Sequence, residues 1–130
     1  MNKEDVIKYW IDICETDLEV GKSLFKSGWY LYTGFQCHQV IEKVLKAYYT
    51  SVKDDTAPYT HNLINLSTES GIFTDFNEQQ KELIKEILPL NIEARYPSYK
   101  EQISKYLTKD VCKRILKETE ELYKWIKEKL

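Results

Sequence analysis

Hydrophobic and polar residues follow the 3.6-residue period of an amphipathic helix along most of this chain. Residues 5–26 place Val6, Trp10, Ile13, Leu24 and Phe25 on one side, and Gly28, after Ser27, supplies a stop. Residues 29–50 carry a second stripe of Cys37, Ile41, Val44, Leu45 and Tyr48. Gln36, Gln39, Lys43 and Lys46 lie together on the opposite side, which predicts a wet outer face. SVKDDTAPYT then breaks the period with two Asp and a Pro, and reads as a loop. Thr60 predicts the cap of a short helix, HNLINLSTES, with Leu63, Ile64 and Leu66 inward and Gly71 at its end.

Asp75 and Glu78 have the spacing of a capping box. The helix they predict turns Phe76, Leu83, Ile84, Ile87 and Leu88 inward until Pro89 ends or kinks it. NIEARYPSYKEQ reads as irregular, because Tyr96 precedes Pro97 and is pushed out of the α region. The cleanest stripe is the last. Val111, Ile115, Thr119, Leu122 and Ile126 run through residues 108–130, with Thr108 as cap and Asp110 in the positive first turn. Nothing reads as a strand. The expected fold is all-α: an up-and-down bundle of four long helices plus one short one, in a single domain over residues 1–130.

Composition agrees with that class. Four glycines and three prolines among many Lys, Glu, Leu and Ile favour helix over sheet. A chain of 130 residues buries roughly two-thirds of its unfolded surface and needs no staple. The net charge of −2 does not supply the positive excess usual for a protein that lives on nucleic acid. Cys14, Cys37 and Cys112 are odd in number, far apart and in no CxxC pair, so they read as reduced core cysteines. No run approaches the ~18 apolar residues of a membrane span, and the N-terminus has no long apolar stretch. A cytoplasmic protein with no membrane association is expected.

Most catalytic arrangements fail on spacing. His38 and His61 are the only histidines, too few to build a metal site with the residues around them. Cys37 and His38 point about 100° apart on their helix. Cys37 also sits on the apolar face, which works against an activated thiolate. His38 is expected to be a half-buried or exposed polar residue. There is no G-x-S-x-G, P-loop or G-x-G-x-x-G. No catalytic residue, metal or cofactor is assigned.

Two features survive. Asp17 falls inside the apolar stripe of the first helix, so it must protonate, pair, or lie at a cleft. Arg95 is one of two arginines and lies between Pro89 and Pro97, with Tyr96 and Tyr99 beside it. Its guanidinium suits a carboxylate or phosphate, and fixing helix packing is an equal alternative.

Four pieces, DLEVGKSLFKSGWY, FQCHQVIEKVLKA, THNLINL and EARYPSY, occur in an order and spacing that resembles the HEPN family. These are small prokaryotic helical-bundle domains often found with minimal nucleotidyltransferases. Asp17 and Leu18 match the family's D-L pair, and Gln39, Glu42, Lys43 and Lys46 its Q-x-x-E-K-x-x-K core. Thr60 and His61 match T-H, while Arg95, Tyr96 and Pro97 match R-Y-P. His38 replaces the usual Gln, Ser98 the usual Asp, and Asn91 a common aromatic.

The resemblance implies a helical bundle, commonly a dimer, with a nucleotide- or RNA-related role. Many relatives in toxin systems are metal-independent ribonucleases that use an R-x(4–6)-H motif. That motif is absent here: both histidines precede Arg95, and none follows Arg114. The expectation is therefore a non-catalytic nucleotide- or nucleic-acid-binding and assembly module. It would homodimerise and act with a separate nucleotidyltransferase-type partner. Arg95, Lys43 and Lys46 would contact an anion, Tyr96 would stack on a base, and Asp17, Gln39 and His61 would orient the ligand. A ribonuclease of the toxin kind and a purely structural bundle are the alternatives. Trp29, Tyr30 and Tyr32, or Tyr96 and Tyr99, are expected at a homodimer interface.

Overall fold

The computed structural model describes residues 2–92 and 96–130. Every regular element among them is helical. Three helices are long: α1 (Lys3–Lys26), α2 (Tyr30–Lys53) and α6 (Lys109–Lys127). Three are short: α3 (Leu63–Ser70), α4 (Glu78–Ile87) and α5 (Pro97–Tyr106). Short 3₁₀ turns at Ile72–Asp75 and Leu88–Leu90 follow α3 and α4. The all-α bundle is as expected, but three long and three short helices replace four long and one short.

Caps explain most of the boundaries. Asn2 caps α1 by accepting from the Asp5 N–H. Its far end closes on Gly28, whose φ of 81° lets Gly28 and Trp29 donate back to Phe25 and Leu24. That reversal lays α2 antiparallel on α1. Asn62, not Thr60, caps α3, and Gly71 ends it. Asn77 and Gln80, not Asp75 and Glu78, form the capping box of α4. Thr108 caps α6 as expected.

The largest departure is α5. Pro97 opens this helix rather than breaking the chain, because a first-turn residue needs no N–H donor. Tyr96 keeps the extended backbone that a pre-proline residue prefers and serves as the N-cap.

The centre of the bundle is α2, which packs against every other α-helix among the described residues. Val40, Ile41, Val44 and Leu45 meet Leu63 and Leu66 from α3, Ile84 and Ile87 from α4, and Ile115, Leu122 and Ile126 from α6. In α1 the buried line runs through Cys14, Leu18 and Gly21, with the expected Val6, Trp10 and Ile13 flanking it. Gly34 marks a close approach: a Cβ there would stand 2.8 Å from Leu107 Cδ1 and 3.2 Å from Leu90 Cδ1. Cys14, Cys37 and Cys112 are free and buried. Burial pushes the Cys37 thiol up to about 12 and Cys112 to about 11. No described helix is long and apolar enough to cross a membrane.

Candidate functional site

Residues 33–50 of α2 are all buried or half-buried, although polar residues occur throughout them. The wet stripe expected from its sequence is therefore largely covered. His38, Glu42 and Lys46 recur every fourth residue on one side of α2 and are all buried, Glu42 to 2% exposure and Lys46 to 7%. The exposed or half-buried position expected for His38 is overturned: its ring is fully enclosed.

A buried carboxylate needs partners, and Glu42 has them. Lys46 Nζ lies 3.3 Å from one carboxylate oxygen, and His61 Nδ1 lies 3.0 Å from the other. A carboxylate oxygen accepts, so Nδ1 is the nitrogen that donates to Glu42, and the second ring nitrogen of His61 is not engaged by it. His38 Nδ1 stands 3.7 Å from the same oxygen, beyond a hydrogen bond. Burial pulls the His38 imidazole down to about 4, against the opposing pull of the Glu42 charge and of the His61 backbone. His38 is thus neutral at physiological pH.

Local structure sets His61 in place. Thr60 accepts from the Asn62 N–H, and Asn62 in turn accepts from Ile64 and Asn65 at the start of α3. These two successive caps fix the backbone on either side of His61. One edge of its ring meets the buried Glu42, while the side chain as a whole stays 55% exposed. The Tyr59 ring lies 6.1 Å away and is almost wholly in solvent. On the inner side, Lys46 Nζ sits 5.5 Å above the Trp10 ring, so α1 closes the site from below.

The other sequence candidates form a second network on the same helix. Asp17 of α1 pairs with Lys43 at 3.7 Å, and Lys43 donates to Gln39 Oε1 at 2.6 Å. Burial raises the Asp17 carboxyl above its usual range, and the Lys43 ammonium opposes the rise. The pairing demanded by a carboxylate inside an apolar stripe is satisfied by an ion pair between helices. Lys43 and Lys46 are both compensated within the protein, contrary to their reading as solvated lysines.

Glu42, Trp10 and Tyr59 are the members sequence reasoning did not place in the site. The spacing of His38, Glu42 and Lys46 could have signalled Glu42, since three polar residues every fourth position share one face. Tyr96 sits apart in the chain at the N-cap of α5, strongly exposed. Arg95 lies outside the described residues, so its proximity to His61 is not described either. Among the described residues no group of three His, Cys, Asp or Glu is arranged to hold a metal ion.

A helical bundle of this make, with the D-L, Q-x-x-E-K-x-x-K and T-H residues meeting along α1, α2 and the start of α3, defines a class. The family model described as HEPN domain matches residues 7–130. The chain belongs to the HEPN family, which makes it a nucleotide- or RNA-related module in the general sense. No curated protein and no solved structure matches it.

Proposed function

We propose that the chain is a non-catalytic nucleotide- or nucleic-acid-binding and assembly module. It homodimerises and acts with a separate nucleotidyltransferase-type partner. One observation carries the binding role: the His61 imidazole, held on buried Glu42 through Nδ1, presents its second ring nitrogen beside the exposed Tyr59 ring. An oriented hydrogen-bonding group next to an aromatic face suits a nucleobase. Tyr96 supplies a further exposed ring, and Arg95 the anion contact. Lys46, Lys43, Asp17 and Gln39 act one step back. Asp17 and Lys43 pair across α1 and α2, Gln39 accepts from Lys43, and Lys46 is neutralised by Glu42 beside His61.

The assembly role draws support from exposed aromatic surface. Trp29 and Tyr32 at the start of α2 are more than half uncovered or nearly so, and Tyr96 and Tyr99 stand exposed at the start of α5. Such rings are common at interface centres.

A second reading is favoured by the same carboxylate–imidazole pair. In RNA cleavage the 2′-oxygen bonds to phosphorus as the P–O5′ bond breaks; a base takes the 2′-hydroxyl proton, the leaving 5′-oxygen gains one from water or an acid, and a Glu-oriented histidine can serve as the base. The two readings separate in one experiment. Purified protein is incubated with single-stranded RNA without metal, and binding and cleavage are followed together. Binding with intact RNA supports the module. Cleavage abolished by His61→Ala supports the enzyme. RNA neither bound nor cut, with no nucleotide raising the melting temperature, would leave only a structural bundle.

A further inference from the structure

A cleft of about 560 Å³ runs along α5, between it and α4, on elements that contribute nothing to the Glu42 network. Tyr99, Gln102 and Tyr106 line it at helical spacing and so share one stripe of α5. Leu90 and Ile103 form an apolar floor, both nearly fully buried, and Pro89, in the turn that follows α4, lines the other side. Tyr106 is held at its tip. Its hydroxyl donates to Glu86, which Arg114 of α6 grips with both guanidinium nitrogens, at 2.9 and 2.6 Å.

The charged groups that line the cleft are compensated. Arg114 neutralises Glu86, and Lys85 lies 3.9 Å from Glu82. The lining therefore has no spare cation for a phosphate and no spare carboxylate for an amine, and its charge complements an uncharged guest. Folded domains capture peptides in a few recurring ways. Strand addition needs a sheet edge, and every regular element among the described residues is helical. An amphipathic helix needs a long apolar groove, and the apolar floor here is two side chains. A phosphorylated motif needs an arginine that is not already paired, and Arg114 is paired. What remains is the polyproline II helix, which docks in grooves lined by aromatic rings.

The spacing fits. Tyr99 and Tyr106 are seven residues apart, about 10.5 Å along the helix axis at ~1.5 Å per residue. A polyproline II helix repeats every three residues, or about 9.3 Å. Two prolines three apart can therefore set one ring beside each tyrosine. Such a segment has few N–H groups but a full set of carbonyls, and the Gln102 amide, between the two tyrosines, has N–H groups to donate to them. We propose that this cleft docks an uncharged P-x-x-P segment of a partner protein in the polyproline II conformation. Pro58, Pro89 and Pro97 are at no such spacing, so these 130 residues do not supply the segment themselves. The site uses neither His61 nor the nucleotide reading above.

The test is a titration of ¹⁵N-labelled protein with end-capped decaproline, followed by amide shifts. An end-capped glycine–serine peptide of equal length and AMP are titrated in parallel. The expected result is shifts along α4 and α5 with decaproline alone. Tyr106→Phe keeps the ring and should bind within about twofold of the wild type, whereas Tyr106→Leu removes it and should bind at least about fivefold more weakly. Gln102→Glu is a second variant, at an exposed position that leaves the core and the Tyr106–Glu86 contact untouched. It replaces the donor with a carboxylate facing the peptide carbonyls, and should also weaken binding at least about fivefold. It decides the matter if Tyr106→Leu does not fold. Absence of shifts at α4 and α5, or shifts that the glycine–serine peptide reproduces, would overturn the proposal. So would decaproline binding that Gln102→Glu leaves unchanged, or AMP moving the same amides. None of these results bears on His61, whose ligand is tested separately.

Discussion

Glu42 and His61 meet at 3.0 Å although they are 19 residues apart, one buried at the middle of α2 and the other at the threshold of α3. The carboxylate serves two masters. It orients the imidazole and it neutralises Lys46, which is buried beside it. Removing it should therefore have two separable effects.

Glu42→Ala leaves Lys46 enclosed without a counter-charge. Breaking a buried pair from one side costs about 3 kcal/mol. Urea denaturation should show a loss of that order. Replacing both partners, with Glu42→Leu and Lys46→Met together, should recover most of it, since no charge is then left buried. A double variant as unstable as Glu42→Ala alone would mean that the loss comes from packing rather than charge.

His38 should make stability depend on mild acid. Its folded value of about 4 lies below the ordinary 6.5, so the unfolded chain binds the extra proton first. The contribution is complete above pH 6.5 and is lost as pH falls from there toward 4. Its full size is on the order of 3 kcal/mol. His38→Gln should flatten the stability profile in that window. Burial pushes the Glu86 carboxyl up, but the hydrogen bonds from Arg114 and Tyr106 outweigh it and hold it below 4.5, so it acts at more acid pH and the two contributions separate. A His38→Gln profile that keeps the wild-type slope between pH 4 and 6.5 would contradict the assignment.

Gly34 should resist substitution. A Cβ meets the ends of Leu107 and Leu90, which are themselves nearly buried and have little room to move. Gly34→Ala should cost about 1 kcal/mol, measured by thermal or urea unfolding. Leu107→Val in the same chain should reduce the penalty.

Homodimerisation is checked by light scattering at micromolar concentration. A dimer mass is expected for the wild type, and Trp29→Ala with Tyr32→Ala should shift it toward monomer. A wild-type monomer mass would remove assembly from the proposed role.

The helical class was plain in the sequence because the apolar stripes of α4 and α6 are covered as their spacing implies. Leu83, Ile84 and Ile87 are buried, as are Ile115, Thr119, Leu122 and Ile126. The reading of α2 was half right for a physical reason. Periodicity assigns one dry and one wet face, but α2 is surrounded, so its polar side had to be satisfied internally by Glu42, Lys46 and the Asp17–Lys43 pair. The helix α5 is hidden in the sequence because Pro97 pushes Tyr96 out of the α region, which reads as irregular chain, whereas Pro97 itself stands at a first turn. The Glu42–His61 contact depends on how α3 returns over α2. No local pattern encodes that, although the chemistry of both residues was visible.

The central claim is that His61, aimed by Glu42, touches a nucleotide or RNA ligand. It is tested most directly by comparing the affinity of wild type and His61→Ala for labelled single-stranded RNA, with helicity checked by circular dichroism. The expected result is a folded variant that binds about tenfold or more weakly, the size of one lost polar contact in a stacked site. A folded His61→Ala protein that binds RNA as tightly as the wild type would contradict it.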